Sequence, residues 1–143
     1  MSKYYQGKFQ PKNPKKYKGD VQNIYFRSSW ELKMMIWLDK NINIMEWGSE
    51  EIVIPYVSPL DNRVHRYFVD FYAKTLGGKT LLIEIKPHSQ TKEPKIPKRK
   101  TKRFIQEVIE WSKNEAKWKY AKEYAADRNW EFIVLTEKEL GIK

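Results

Sequence analysis

The 143-residue sequence contains no cysteine. That absence excludes a disulfide framework, a thiolate zinc site, an iron–sulfur cluster and a cysteine nucleophile together. Histidine is scarce too, with only His65 and His88, so any metal must be held by oxygen or by one of these two rings. Long hydrophobic runs are missing. Apolar stretches are short, as in Leu81-Leu82-Ile83, well below the roughly 20 residues of a membrane-spanning helix. The opening residues Met1-Ser2-Lys3-Tyr4-Tyr5-Gln6 carry no signal-peptide stretch, and a soluble protein of the cytoplasm, with no membrane partner, is expected. Acid is the other shortage. Against 18 Asp+Glu stand 28 Lys+Arg, a formal net charge of +10 on a chain of one domain's length.

The charge is concentrated in two places. Residues 1–20 hold six Lys and one Asp, and residues 92–103 hold five Lys, two Arg and one Glu. The remainder is close to neutral. Such runs can serve solubility alone, but two of them on a neutral body favour a polyanion partner, most simply nucleic acid.

Residues 1–20, with Pro11, Pro14 and Gly19 among lysines and tyrosines, show no apolar period and read as an extended basic arm ahead of a domain spanning 21–143. Ser28-Ser29-Trp30-Glu31 has the form of a capping box, and Trp30, Met34, Trp37 and Leu38 follow at helical spacing, predicting a helix over 29–40. Strands are predicted over Glu51–Tyr56, Arg66–Lys74 and Thr80–Lys86, the last two separated by Gly77-Gly78. The proline-containing basic stretch after Pro87 reads as a loop. A long amphipathic helix is expected over 102–127, a strand over Trp130–Leu135 and a terminal turn at Glu137–Leu140. The order α-β-β-β-α-β describes a single α/β domain, one sheet flanked by helices. Tryptophans and tyrosines on the helical stripes are assigned to the core, leaving Tyr4, Tyr5 and Tyr17 of the arm to stack on bases.

Two carboxylates interrupt apolar strands: Asp70 in Tyr67-Phe68-Val69-Asp70-Phe71, and Glu84 in Ile83-Glu84-Ile85-Lys86. A charge in such surroundings is costly unless it is paired or coordinates a metal. Side-chain alternation puts Glu84 and Lys86 on one face of their strand. Phosphodiester hydrolysis has use for this set. Two carboxylates and the Ile85 carbonyl can hold Mg²⁺, and an ammonium can position the attacking water. The alternative is a plain Glu84–Lys86 salt bridge on a solvated face. Glu31 likewise has a simpler role, bonding back to the Ser28 amide as part of the cap. His65 and His88 flank the acids and read as ordinary histidines rather than ligands.

Register supplies a test. A two-residue turn at Gly77-Gly78 would set Asp70 opposite Ile85, on the wrong face; a shared site needs Asp70 opposite Glu84 or Lys86. A three- or five-residue loop over 76–80, or a bulge near the acids, is therefore predicted.

An acid on an early helix, an Asp in one strand and Glu-x-Lys in the next, followed by helix and strand, resembles the PD-(D/E)xK nuclease superfamily, with Val69-Asp70 where Pro-Asp is usual. The early helix is similar to that of TnsA-type transposon endonucleases. Tyr17-x-Gly19-Asp20, Tyr25-x-Arg27-Ser28-x-Trp30-Glu31, Trp37-Leu38-Asp39, Trp47-x-Ser49-Glu50, Ile54-Pro55-Tyr56, Arg66-Tyr67-Phe68-x-Asp70, Ile83-Glu84-Ile85-Lys86-Pro87, Lys102-Arg103-Phe104 and Trp111-Ser112 together resemble a nuclease family of T-even-like tailed bacteriophages. The resemblance implies a restriction-endonuclease-like core with a mixed central sheet. It also implies an Mg²⁺-dependent endonuclease, with Mn²⁺ as a substitute, acting on packaged double-stranded DNA at head completion before tail attachment. Glu31, Asp70, Glu84 and Lys86 become the expected catalytic residues, with Asp70, Glu84, the Ile85 carbonyl and Glu31 as candidate ligands. Lys92, Lys95, Lys98, Arg99, Lys100, Lys102 and Arg103 are the expected DNA contacts, with Arg27 and Gln90 as further candidates. The host cytoplasm or the virion is the expected location, and head or neck proteins are the expected partners. A structural DNA-binding head protein and a junction-resolving nuclease are the alternatives.

Overall fold

The structure, a computed structural model, describes residues 6–142; Tyr4 and Tyr5 lie outside the described residues. The central sheet has the order β3 (Ile44–Ser49), β6 (Phe71–Thr75), β7 (Thr80–Ile85), β8 (Glu131–Leu135). β3, β6 and β7 are antiparallel neighbours, whereas β8 runs parallel to β7 after the crossover through α2 (Lys102–Asp127), so the sheet is mixed. Two small antiparallel pairs complete the strands: β1 (Gly7–Lys8) with β2 (Tyr25–Phe26), and the hairpin of β4 (Val53–Val57) with β5 (Val64–Phe68).

Each face of the sheet has its own core. Phe71, Ala73, Ile83 and Ile85 pack with Trp30, Met34, Met35 and Leu38 of α1 (Ser29–Lys40) and with Trp47. On the other face, Tyr72 and Leu82 meet Ala121 and Ala125 of α2, and Ile54, Tyr56, Tyr67 and Val69 of the hairpin close over the same helix. β7 is covered on both sides, which explains its nearly unbroken apolar sequence. Among the described residues no helix is long and apolar enough to cross a membrane.

The helices follow their sequence signals. α1 begins at Ser28, whose hydroxyl accepts the Glu31 N–H at 3.2 Å, and α2 begins at Thr101, whose hydroxyl accepts the Phe104 N–H at 3.1 Å. α3 (Glu137–Leu140) has a full capping box at Thr136. The hairpin between β6 and β7 has a three-residue loop, closed by Thr75 N–H donating to Lys79 O at 2.8 Å, with Gly78 at φ +89°. Phe71 therefore pairs with Ile83, which meets the parity that a shared acid site demands.

Four expectations need correction. β3 is a strand that the sequence pattern does not announce. The stretch Arg66–Lys74 is not one strand but two, β5 and β6, belonging to different sheets. Trp37 is 51% exposed and not part of the core. Most consequentially, residues 6–20 do not form a segment free of the body. Phe9 and Tyr17 are buried around Trp47, with ring centroids 5.8 and 4.8 Å from it. Tyr17 is thus unavailable for stacking on bases. The segment is fastened by the buried Asp39, whose carboxylate accepts the Lys12 and Asn13 N–H groups at 2.8 and 3.2 Å and whose carbonyl accepts from Asn13 Nδ2 and Lys16 Nζ. Single aromatics eight residues apart create no period, so the local pattern conceals their burial.

Candidate active site

The site is built where the chain passes from the hairpin into the sheet. Val69 N–H donates to Ile52 O at 3.1 Å, while one residue later Asp70 O accepts from Glu50 N–H at 3.1 Å. In antiparallel pairing every second residue exchanges both backbone bonds with its partner. Counting from Thr75 and Lys79, Val69 would do so with Ile85 if the ladder continued. Because Val69 is held elsewhere, the Asp70 carboxylate takes the Ile85 N–H (Oδ2, 2.8 Å), and the Ile85 carbonyl loses the donor that the ladder would have supplied.

Asp70 extends the register to stand opposite Glu84, on the same face of the sheet and close enough for the charge of Glu84 to act on it. Burial first, and the charge of Glu84 second, raise the Asp70 carboxyl well above the usual carboxylate range. Glu84 is 6% exposed. Its Oε2 accepts from the Tyr67 hydroxyl and from Trp118 Nε1, the latter at 3.2 Å, so β5 and α2 both orient it. Burial, reinforced by Glu84, pushes the Tyr67 hydroxyl far up and keeps it a proton donor.

Two ammonium groups adjoin the acids. Lys86 is half-buried just beyond β7, its N–H bonded to Leu135 O at 3.0 Å, and alternation places its side chain on the Glu84 face. Lys117 of α2 lies 5.9 and 5.7 Å from the ring centroids of Tyr56 and Tyr67. Burial and then the charge of Lys86 lower its pKa, opposed by the attraction of Glu84. The ion pairs among the described residues do not include Glu84 with Lys86, so the plain salt-bridge alternative is not what the structure forms.

Glu31 stands at the margin. One carboxylate oxygen accepts the Arg27 N–H at 3.2 Å rather than the Ser28 amide expected of the cap. Burial raises its pKa, the Arg27 amide opposing and Glu50 adding to the rise, and its charge acts in turn on Asp70. Arg27 is bound to Glu50, whose backbone has φ +56°. His65 Nε2 pairs with Asp61 at 2.8 Å, and the His88 amide donates to Glu137 at 2.7 Å. The cations Lys92, Lys95, Lys98, Arg99, Lys100, Lys102 and Arg103 are all exposed along the loop and first turn of α2; Gln90 is exposed at the loop's start. Among the described residues no three His, Cys, Asp or Glu side chains form a group that could hold a metal ion. A divalent cation here would rest on two carboxylates, main-chain oxygen and water. The donor set fits one: two acids crowd together, and the Ile85 carbonyl lacks its ladder donor.

Tyr67, Trp118 and Lys117 are the site residues that sequence reasoning missed. Trp118 was counted as core, but an indole N–H on a buried stripe needs an acceptor, and an acid inside an apolar strand is such an acceptor.

A mixed sheet between helices, with Asp70 and Glu84-x-Lys86 meeting on adjacent strands, defines a nuclease domain of the PD-(D/E)xK type. The family described as TnsA-like endonuclease N terminal matches residues 41–137, two thirds of the chain, and includes Asp70, Glu84 and Lys86 but not Glu31. The chain belongs to this family of endonucleases, which are hydrolases acting on DNA, and nucleases of this fold generally use a divalent metal. It is also 44% identical, over 97% of both chains, to the Head completion nuclease of Enterobacteria phage T4.

Proposed function

We propose that the chain is an Mg²⁺-dependent DNA endonuclease in which Asp70 and Glu84 hold the metal with the Ile85 carbonyl, and that it serves completion of phage heads in the host cytoplasm, as its relative's name indicates. The observation that carries the chemistry is the meeting of Asp70 and Glu84 at the break between β5 and β6. A divalent cation bound there supplies Lewis-acid neutralisation of the scissile phosphate and a more acidic water. Tyr67 and Trp118 fix the Glu84 carboxylate by donating to one of its oxygens. Lys86 orients the attacking water and holds the charge that develops on phosphate, and Lys117 adds a second positive charge on the same side. Glu31 acts through the field it places on Asp70.

The exposed cations from Lys92 to Arg103 grip the phosphate backbone. The start of α2 supports this role, because its first turn carries Lys102 and Arg103 and no acid, adding charge to the positive end of the helix dipole. Arg27 and Gln90 are further phosphate contacts in this reading. Head or neck proteins of the phage are the partners this reading implies.

Nicking of supercoiled plasmid in Mg²⁺ tests the assignment. The wild type should convert plasmid to open circles, and Asp70→Ala and Lys86→Ala should not. Equal activity in the three proteins, or none in any, would refute it.

A further inference from the structure

We propose that the cavity between the loop after Lys86 and the N-terminal half of α2 receives an unpaired nucleobase of the DNA. The inference rests on the nuclease reading and names the form of DNA that reading leaves open. The cavity measures about 720 Å³, within the range of roughly 300–1,000 Å³ typical of small-molecule pockets. Its walls continue the elements that flank the acid pair. Gln90 and Lys92 on one wall follow Lys86 by four and six residues, and Asn114 on the other wall is one helical turn before Trp118, which holds Glu84.

Three features select a base rather than a phosphate or an apolar ligand. Asn114 is 4% exposed and lines the cavity, so its side-chain amide can meet a ligand's polar edge there. Trp111 lines the same cavity and belongs to neither hydrophobic core, contrary to the expectation from its helical spacing. An indole outside the core beside a buried amide offers an aromatic face and a polar contact, as an unstacked base requires. The third feature is charge. Lys92 and Arg103 in the wall are matched by Glu107 and Glu110, and Arg103 Nε donates to Glu107 at 3.2 Å. The wall as a whole carries no net charge, which suits a neutral base inside the cavity, while Lys92 and Arg103, the latter 91% exposed, stay at its edge among the cations that hold phosphate. Outside it, Lys95, Lys98 and Arg99 remain exposed to hold the phosphates on either side of the inserted base. The Asn114 amide carries both donors and an acceptor, so the pocket should accept any of the four bases.

Fluorescence anisotropy in EDTA tests this, comparing a blunt duplex with the same duplex bearing a short unpaired tail. The tailed DNA should bind about 5- to 150-fold more tightly, the range for one base stacked on an aromatic side chain. Trp111→Leu and Asn114→Ala should bring the ratio toward one. Replacing the tail nucleotides by abasic ones should do the same with the wild-type protein, independently of how the variants fold. Equal affinity for both DNAs, or a preference that survives abasic replacement, would overturn the proposal. Parallel cleavage in Mg²⁺ separates the two readings. Base-dependent binding without cleavage of any DNA supports the pocket and removes the nuclease assignment, whereas cleavage without base-dependent binding does the reverse.

Discussion

Replacing Asp70 by Asn is expected to stabilise the metal-free protein while abolishing cleavage. Asp70 meets the buried Glu84, and both carboxyls cannot ionise there without cost. Two unit charges about 4 Å apart repel by about 4 kcal/mol at an effective dielectric constant near 20. The pair avoids part of that cost by retaining a proton. An amide fills the same space without charge and can still accept the Ile85 N–H, exchanging a charge-assisted hydrogen bond for a neutral one at a loss of about 1 kcal/mol. The balance is a gain of about 1–3 kcal/mol, several degrees in melting temperature for a chain of this length. The sign with pH follows from the raised Asp70 pKa. The unfolded chain releases this proton first, so the wild type loses stability as pH climbs from the ordinary carboxylate range through the raised folded value. The advantage of Asp70→Asn should therefore be absent in acid and grow across that window. Thermal denaturation in EDTA over a pH series measures it. Adding Mg²⁺ should then stabilise the wild type by about 2.7 kcal/mol at a hundredfold excess over its dissociation constant, and leave the variant nearly unmoved. A variant that melts below the wild type at every pH, or that gains as much from the metal, would refute the reasoning.

Trp118→Phe removes one of the two donors on Glu84 and should weaken metal affinity about 10–100-fold, read from the Mn²⁺ concentration needed for half-maximal cutting. Asp39→Ala should cost about 2–4 kcal/mol, because two backbone N–H groups lose a buried carboxylate and the N-terminal segment loosens; the urea midpoint reports this. Replacing Lys98, Arg99 and Lys100 by Gln should flatten the slope of log affinity against log salt by up to about 2.7, as three lost phosphate contacts predict, and an unchanged slope would remove the loop from the DNA surface.

Elements with a strong local period were legible in the sequence. α1, α2 and α3 occupy the predicted residues because their apolar stripes and caps coincide. β3 was not legible. Ile44-Met45-Glu46-Trp47-Gly48-Ser49 has no β-branched run, and Gly48 is set by a contact outside the strand: a Cβ there would lie 3.0 Å from the Lys18 carbonyl. Segments held by remote partners share this property. Phe9 and Tyr17 are core residues only because Trp47 and Asp39 lie some thirty residues away to receive them, a relation no window of local sequence contains. The same holds for Tyr67 and Trp118, which converge on Glu84 from a hairpin and from a helix.

The parity of the β6–β7 hairpin was deduced from chemistry before geometry, since two acids on adjacent strands can share a ligand only when they face one side. What that reasoning could not reveal is the break at Val69, because an apolar run reads the same whether it stays in one sheet or crosses between two. The break makes the oxygen set accessible. Had β6 continued through Val69, the Ile85 carbonyl would accept the Val69 N–H, and the Ile85 N–H would bond to the Val69 carbonyl instead of anchoring the Asp70 carboxylate. The acids alone would remain, facing each other with no main-chain oxygen freed beside them. By drawing Val69 toward Ile52, the β4–β5 hairpin both delivers Tyr67 to Glu84 and leaves open the one backbone carbonyl between Glu84 and Lys86. On the proposed assignment, Ile52, which contacts neither substrate nor metal, therefore positions the metal-binding oxygens through its hold on Val69.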